Sequence, residues 1–446
     1  MTESSSQRHP YFKRIVSNIG WLTFDRIVRL GFGVLITVAI ARHLGPEKFG
    51  QLNYGLAIVA LIAVLAAMGL DSVVQRDLVK APADKDRLLA TCFIIKGIAG
   101  ILGYLVLVII VRATVLEPLT RATCLIVGLS LLGNAAVAFD NWFQSQTQAK
   151  FTVYAQSAAF FAATAMRVAL LFIGAGLLAF AWTYSIEPIL GAVFLFILFR
   201  VVAGSLPNWT FDKVLAHKWL RESWPLLLSG LAIIVCLRID QIMLAHLANQ
   251  RALGVYSAAV KVSEVGYFIS PILGASFFPS IVRTRELGTE AYNIRRQHYF
   301  DLSVVIAIGI ALPITFLSRP IIEMLYGSTY AEAVPILCAL VWATVFVFVG
   351  GARQQYLICE GFMKFSFAAT LAAALLNIAL NFLLIPRYQG FGAAIATLIS
   401  YGLSAVLSSF LYPPTRLMGW EQLRSFNLFA AVYRLAVYSK NASAQS

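Results

Sequence analysis

The chain has 446 residues, of which 59% are hydrophobic and only 13% are charged, and its formal net charge is +14. Soluble domains average about 25% charged residues, so the composition excludes an ordinary soluble protein and predicts an integral membrane protein. A nucleic-acid partner is not expected, because most of the positive charge lies in loops that flank apolar segments.

Apolar stretches of about 20 residues or more follow one another along the chain. Each can cross a hydrocarbon core of about 30 Å as a helix that rises about 1.5 Å per residue. The period-two alternation of an outer-membrane barrel is absent, which predicts an all-α integral membrane protein with about twelve transmembrane helices. The predicted spans are residues 15–41, 52–74, 87–111, 122–147, 151–174, 177–203, 223–246, 253–281, 298–317, 332–359, 365–385 and 391–412.

The distribution of basic residues predicts the orientation in the membrane. Eight of the 35 Lys and Arg residues lie within the predicted spans, 20 lie in loops and tails on the side of the N-terminus, and seven lie on the opposite side. Cytoplasmic loops of membrane proteins are enriched in Lys and Arg. We therefore expect both termini to be cytoplasmic, with the first span retained, because its charged residues differ from the core of a cleaved signal peptide.

A weak internal repeat divides the chain into two halves. Residues 21–59 align without gaps with residues 225–263; chance similarity between apolar helices is the alternative. Because each half holds an even number of spans, the two halves would have the same orientation in the membrane. The predicted organisation is an N-terminal six-helix lobe (1–203), a cytoplasmic linker (204–222), a C-terminal six-helix lobe (223–412) and a cytoplasmic tail (413–446) that lies as an amphipathic helix on the membrane.

The loops offer no catalytic domain. The five cysteines lie in apolar spans without metal-ligand spacing, and the five histidines form no set of nucleophile, histidine and acid. We therefore expect a transporter rather than an enzyme, without catalytic residues, a metal site or a cofactor.

The eight basic residues within the spans are the most informative feature. A basic side chain at the centre of a bilayer helix costs about 2.5 to 3.5 kcal/mol even on lenient scales. Such residues must be paired with acids, lie at the interface, or line a wet cavity, and a cationic interior favours an anionic substrate. They are Arg26, Arg29, Lys96, Arg167, Arg200, Arg238, Lys261 and Arg353.

Several residues are candidates for substrate binding. Arg29, Lys96 and Arg167 fall near the predicted midplane, and with Arg353 they could attract anionic groups through charge-assisted hydrogen bonds. Trp142 and Gln144 form an aromatic and polar pair suited to a sugar surface. An interfacial aromatic belt is the alternative for the tryptophan.

The acidic residues within the spans have two competing interpretations. Asp25 lies four residues before Arg29, on the same helix face, so a self-neutralised pair is the alternative to a substrate site there. A pair between Asp240 and Lys261 would fasten the seventh span to the eighth, and a role of Asp240 in transport is the alternative.

Asp140 and Glu264 are the better candidates for coupling transport to an ion gradient, because neither has a basic residue four positions away on its own helix. Lys261, three residues before Glu264, weakens the second case.

Five segments together resemble the polysaccharide transporter family, the O-antigen flippases of the multidrug/oligosaccharidyl-lipid/polysaccharide exporter superfamily. These segments are ARHLGPEKFGQLNYGLAIV (41–59), GLDSVVQRDLV (69–79), RIDQIMLAHLANQRALGVYSAAVKVSE (238–264), RPIIEMLYGSTYAEAVPIL (319–337) and LLNIALNFLLIPRYQGFGAAIATLISY (375–401). The resemblance implies two lobes around a central cavity, in a bacterial inner membrane. It also implies alternating access that moves undecaprenyl-pyrophosphate-linked oligosaccharides, units of O-antigen, capsule or exopolysaccharide, to the outer leaflet. Membrane lipids, a polysaccharide polymerase and a chain-length regulator are the implied partners.

Three other functions compete with this interpretation. A cation-coupled multidrug exporter of the same superfamily would favour an acidic cavity, whereas these spans contain eight basic residues and only about six acidic ones. A lipid II flippase would usually carry two further helices. A membrane polysaccharide polymerase or ligase would need a sizeable periplasmic loop, which the sequence does not contain.

Reporter fusions test the predicted orientation. We expect cytoplasmic signals from reporters placed after Lys80, Lys218 and Arg295, and external signals from those placed after Lys48, Arg251 and Arg319. The physical reason is the retention of basic loops in the cytoplasm. Reversed signals at two or more of these positions would contradict the twelve-span topology.

Overall fold

The computed structural model describes the backbone of residues 5–204 and 209–445, and the side chains of residues 29, 31–204 and 209–437. Throughout these described ranges the structure is helical and contains no β-strand, which confirms the all-α fold class. The α-helices are α1 Ser5–Ala67, α2 Asp71–Lys80, α3 Lys85–Thr114, α4 Pro118–Gly128, α5 Val137–Ser145, α6 Ala149–Phe172, α7 Leu177–Ala203, α8 Lys213–Leu247, α9 Gln250–Ser263, α10 Ile269–Leu287, α11 Thr289–Phe316, α12 Ser318–Tyr326, α13 Ala333–Cys359, α14 Met363–Gly402, α15 Ser408–Leu411, α16 Arg416–Ser425 and α17 Leu428–Gln445.

Ten helical segments of the described chain are long and apolar enough to cross a membrane. Two of them, Gly31–Lys80 and Met363–Leu411, are 50 and 49 residues long, more than twice the length that one crossing needs. Each contains a backbone break, at Gly45 (φ 74°) and at Gln389 (φ 48°) respectively. Division at these breaks gives twelve spans in the described residues, as the hydropathy pattern predicts.

Two spans contain short 3₁₀ segments between their α-helical parts. The fourth span is built from α4, the 3₁₀ helix Leu129–Ala136 and α5, and the eighth from α9, the 3₁₀ helix Glu264–Phe268 and α10. An eight-residue 3₁₀ helix is unusual, because its hydrogen bonds are poorer than those of an α-helix and runs of more than three or four residues are uncommon.

The chain divides into two compact units, Met1–Ile234 and Val235–Ser446. In the first unit, one apolar cluster joins α2, α3, α5, α7 and the start of α8. Its most buried members include Leu70, Phe139, Phe143, Phe199 and Trp219. The Trp219 indole donates a 3.0 Å hydrogen bond to Asp77, so the beginning of α8 is fixed to α2.

The predicted linker 204–222 contains the start of α8, and Asp212 explains why the helix begins there. Its carboxylate accepts hydrogen bonds from the backbone N–H groups of Val214 (2.8 Å) and Leu215 (3.0 Å), as an N-cap does. The Leu215 N–H and the Arg87 guanidinium together lower the pKa of Asp212. The cap therefore stays ionised at neutral pH.

In the second unit the C-terminal helices α16 and α17 are attached to α11 by ion pairs. Arg296 donates to both oxygens of Glu421, at 2.5 and 2.9 Å, and both side chains are almost fully buried. Arg434 contacts Asp301 at 2.7 Å. Glu421, Gln422 and Ser425 of α16 are thus turned inward, while the apolar Leu417 and Trp420 and the basic Arg416 and Arg424 are exposed. An outer face that carries apolar and basic side chains is compatible with the predicted membrane-surface tail, which stays a prediction.

Removal of one partner from the buried Arg296–Glu421 pair tests its importance. We expect Glu421→Ala to lower the free energy of unfolding by about 3 to 5 kcal/mol, because the guanidinium is left buried without a counter-charge. The matched control is Glu332→Ala, which breaks the exposed Arg251–Glu332 pair, whose side chains are 60% and 61% accessible. That change should cost about 1 kcal/mol or less. Equal losses of thermal stability in detergent for the two variants would contradict the assignment.

Candidate functional site

In the N-terminal unit, Lys96 is completely buried and paired. Its ammonium lies 2.7 Å from Asp71, which also accepts a 3.0 Å hydrogen bond from Asn141. Asn134, from the 3₁₀ helix, donates to the carbonyls of Ala66 (2.9 Å) and Lys96 (3.3 Å) and so joins three helices. The predicted substrate contact at Lys96 is therefore placed in an internal ion pair.

Arg167 is also buried and paired, with a residue that the sequence interpretation did not count. Its guanidinium donates to Glu187 at 2.7 Å and to Thr183 at 3.0 Å. It also lies 4.3 Å from the centre of the Tyr184 ring. The signal available in the sequence was the i, i+4 spacing of Thr183 and Glu187, which puts both on one helix face. Arg167 thus fastens α6 to α7.

The Arg29 guanidinium lies over the ring of Phe160, 5.4 Å from its centre. The side chain of Asp25 lies outside the described residues, so the suggested Asp25–Arg29 pair stays a prediction.

Asp140, Trp142 and Gln144 are brought together only in part. Asp140 accepts hydrogen bonds from Thr152 (2.6 Å) and from the exposed Gln144 (3.0 Å). Trp142 instead packs edge-on against Phe143 and Phe199, with ring centres 5.0 Å apart in both cases. Its ring therefore contributes to the apolar cluster, and a joint sugar-binding surface with Gln144 stays a prediction.

In the C-terminal unit, Asp240 is buried, and its hydrogen-bond partner is a residue that the sequence did not predict. Its carboxylate accepts a hydrogen bond from the Tyr256 hydroxyl and another from the Gln241 backbone N–H. Glu264 lies 3.4 Å from Arg238. The side chains described here include no Asp240–Lys261 ion pair, because the phenol on α9 reaches the carboxylate instead. This corrects the predicted fastening pair: a hydrogen bond joins α8 to α9 there.

Arg353 differs from the other buried bases. Its side chain is only 3% exposed, and its guanidinium lies 5.2 Å from the centre of the Phe365 ring. Its Nε and Nη2 atoms have no hydrogen-bond partner, and no acidic side chain within the described ranges forms an ion pair with it. Part of this charged, planar set of donors therefore has no hydrogen-bond partner within the described residues.

Two asparagines on α14 form a second buried polar group in this unit. Asn381 donates to Asn377 at 2.9 Å, and both side chains are fully buried. The side-chain nitrogen of Asn377 and the side-chain oxygen of Asn381 have no hydrogen-bond partner within the described residues. No group of three or more His, Cys, Asp or Glu residues that could hold a metal ion occurs in the described part of the chain.

Comparison with known proteins places this geometry among membrane transporters. A family model described as polysaccharide biosynthesis protein matches residues 15–285, and the MatE model matches residues 225–383. The capsular polysaccharide biosynthesis protein CapF of Staphylococcus aureus is 22% identical, over 89% of this chain and 99% of its own. The succinoglycan biosynthesis transport protein ExoT of Rhizobium meliloti is also 22% identical, over 73% and 65% respectively.

Solved structures share the fold. The inward-closed lipid II flippase MurJ has a TM-score of 0.71 at 13% sequence identity and covers 96% of this chain and 99% of its own. An inward-facing multidrug resistance MATE transporter of the MOP superfamily has the same TM-score at 14% identity, covering 92% and 98%.

The unequal burial of Lys96 and Asp71 generates a prediction. The Lys96 side chain is 1% accessible, whereas that of Asp71 is 45% accessible. Asp71→Asn should therefore destabilise the protein more than Lys96→Met, because it leaves a fully buried ammonium unpaired. Lys96→Met leaves a carboxylate that water can solvate. Thermal unfolding of the two variants in the same detergent measures which is less stable. A lower stability of Lys96→Met than of Asp71→Asn would contradict the prediction.

Proposed function

Because the chain belongs to the polysaccharide biosynthesis protein family, whose model matches residues 15–285, we propose that it is a flippase for lipid-linked oligosaccharides. Its substrate would be an undecaprenyl-pyrophosphate-linked repeat unit, moved from the inner to the outer leaflet of a bacterial inner membrane. The names of CapF and ExoT support a role in capsule or exopolysaccharide export. Cytoplasmic termini, and encounters with a polymerase and a chain-length regulator, belong to the same proposal.

Arg353 is the observation that carries this proposal. An unpaired buried guanidinium is unfavourable in the empty protein, since a charge that leaves water without a partner loses several kcal/mol of solvation, on the order of the penalty for a broken ion pair. A pyrophosphate would provide the missing partner, because its oxygens match the forked guanidinium donors. The cationic substrate of a drug exporter would instead be repelled.

Transport would follow from differential binding and needs no covalent chemistry. A ligand shifts a conformational equilibrium only by the difference in its affinity for the two states. We propose that the pyrophosphate is held more tightly in one state, while the polyprenyl chain stays in the lipid. Lys96 and Arg167 would act as structural cations, because Asp71 and Glu187 already neutralise them.

An ion gradient would act through a carboxylate that has no cationic partner. Glu264 is paired with Arg238, which makes it the weaker candidate. Asp140 and Asp240 both accept hydrogen bonds from neutral groups. Of these two, Asp240 is almost fully buried, and burial increases the effect of a change in its charge on the surrounding helices. We therefore propose Asp240 as the main coupling residue and Asp140 as the second.

Transport of radiolabelled undecaprenyl-pyrophosphate oligosaccharide in vesicles tests the role of Arg353. Arg353→Ala should reduce the rate at least about tenfold, the equivalent of about 1.4 kcal/mol. Arg353→Lys should retain part of it, because the charge remains without the bidentate geometry. Arg251→Ala, at an exposed pair, is the control. Normal flipping by a well-expressed Arg353→Ala protein would remove Arg353 from the site; movement of cationic dyes but no lipid-linked sugar by wild type would favour a drug exporter.

The coupling residues are tested by an imposed proton or sodium gradient across the same vesicles. We expect Asp240→Asn to abolish the response to the gradient while substrate binding persists, because an amide cannot change its charge. Asp140→Asn should reduce the response less. A full response in both variants would eliminate these carboxylates and favour flipping that is driven only by consumption of the product outside.

A further inference from the structure

The N-terminal unit contains a second candidate site, a cavity whose lining does not include Arg353, Asp240 or Asp140. Its volume is about 330 Å³, and it lies among α1, α6, α7 and the 3₁₀ helix of the fourth span. Most of its wall is aliphatic, with four polar side chains, Ser130, Asn134, Gln156 and Glu187. A mostly apolar cavity of this size with a few convergent polar groups is typical of a small-molecule site.

The backbone around this cavity is irregular on two sides. The 3₁₀ helix runs through the middle of the fourth span, and Pro188 in α7 removes a backbone donor from the sixth. The two segments meet where a Cβ atom on Gly133 would lie 3.3 Å from the Pro188 carbonyl oxygen. At membrane depth, irregular backbone is tolerated where it is enclosed by protein or lines a polar cavity. The irregular backbone of the 3₁₀ helix and of α7 at Pro188 therefore lies beside this cavity.

The polar side chains retain hydrogen-bonding capacity. One oxygen of Glu187 accepts from Arg167, and the structure describes no bond to the other. The Asn134 nitrogen is used by two carbonyls, which leaves its oxygen as an acceptor. Gln156 has no hydrogen bond in the described ranges, and its amide lies against Gly191, where a Cβ atom would be 3.1 Å from Oε1. A suitable ligand brings several O–H donors and no negative charge.

We propose that this cavity binds one uncharged sugar ring of the lipid-linked oligosaccharide. Its hydroxyl groups would donate to Glu187 and Asn134 and would exchange hydrogen bonds with Gln156 and Ser130. The C–H surfaces of the ring pack on the aliphatic wall, to which Ala63, Ala66 and Ala192 contribute. Glu187 and Asn134 offer acceptor oxygens, and Arg167 is already paired with Glu187, so the carboxylate of a uronic acid would meet acceptors without a free cation, whereas the hydroxyl groups of a neutral ring can donate to them. This inference rests on the proposed flippase function and adds a selectivity for neutral sugars.

Protection of an introduced thiol tests the cavity directly. Ala192→Cys places a thiol in the lining, and Val193→Cys is the matched control on the same helix, 45% exposed and outside the cavity. Maleimide labelling of each purified protein is compared with that of the parent protein, which corrects for the native cysteines. N-acetylglucosamine at ten times its Kd should slow labelling of the Ala192→Cys thiol about tenfold, because the fraction of unoccupied sites is 1/(1 + [L]/Kd). Glucuronic acid should not, and the Val193→Cys thiol should respond to neither.

Gln156→Met gives a second measurement, because it removes the amide while it keeps a side chain of similar length. We expect its translocation rate for a neutral repeat unit to fall about tenfold, the equivalent of about 1.4 kcal/mol. The cavity proposal fails, and the proposed flippase function stands, if wild type flips the substrate while no sugar protects the Ala192→Cys thiol and Gln156→Met translocates at the normal rate. Equal protection by glucuronic acid would overturn the role of Glu187. Failure of wild type to flip lipid-linked sugar would instead refute the proposed function.

Discussion

A charge inside an apolar helical bundle must meet an opposite charge, because the energy of leaving water is several kcal/mol per ion. This constraint organises most of the polar contacts in the structure. Lys96, Arg167 and Arg296 are buried, and each lies within hydrogen-bonding distance of an acid on another helix. Such pairs fix the relative position of helices, since the loss of either partner leaves a charge with neither water nor a counter-ion.

Against this pattern, the isolation of Arg353 is informative. Its guanidinium lies over the aromatic ring of Phe365, and two of its three nitrogens lack a hydrogen-bond partner. A cation–π contact contributes about 0.5 to 2 kcal/mol, which is less than the energy lost on removing a guanidinium from water. A residue that weakens the empty protein is expected where a ligand restores the balance. For this reason we propose Arg353, and not the paired cations of the spans, for substrate binding.

The two units then suggest different chemical tasks. The C-terminal unit holds the unpaired guanidinium and the buried Asp240–Tyr256 contact, both suited to charged species. In the N-terminal unit the buried Lys96 and Arg167 are neutralised by acids, and a cavity there is lined by amide, hydroxyl and carboxylate groups. A lipid-linked oligosaccharide carries both kinds of group, a doubly charged linkage and neutral rings, which is why we assign one to each unit. The irregular backbone of the fourth and sixth spans accompanies the neutral cavity, as expected where polar groups are kept at membrane depth.

The membrane class, the all-helical fold and the count of about twelve spans follow from the amino-acid sequence alone, because hydropathy and segment length are local properties and the bilayer thickness sets the length of a span. The sequence also placed Arg353 within a predicted span, and the structure shows that this side chain is buried. The partners of the buried charges, by contrast, depend on how the helices pack. Glu187 neutralises Arg167 from a different helix, and Tyr256 takes the place next to Asp240 that Lys261 was expected to fill. Helix spacing gives the face on which a side chain lies, but the partner across the interface depends on helix packing and rotation, and neither can be read from one segment alone.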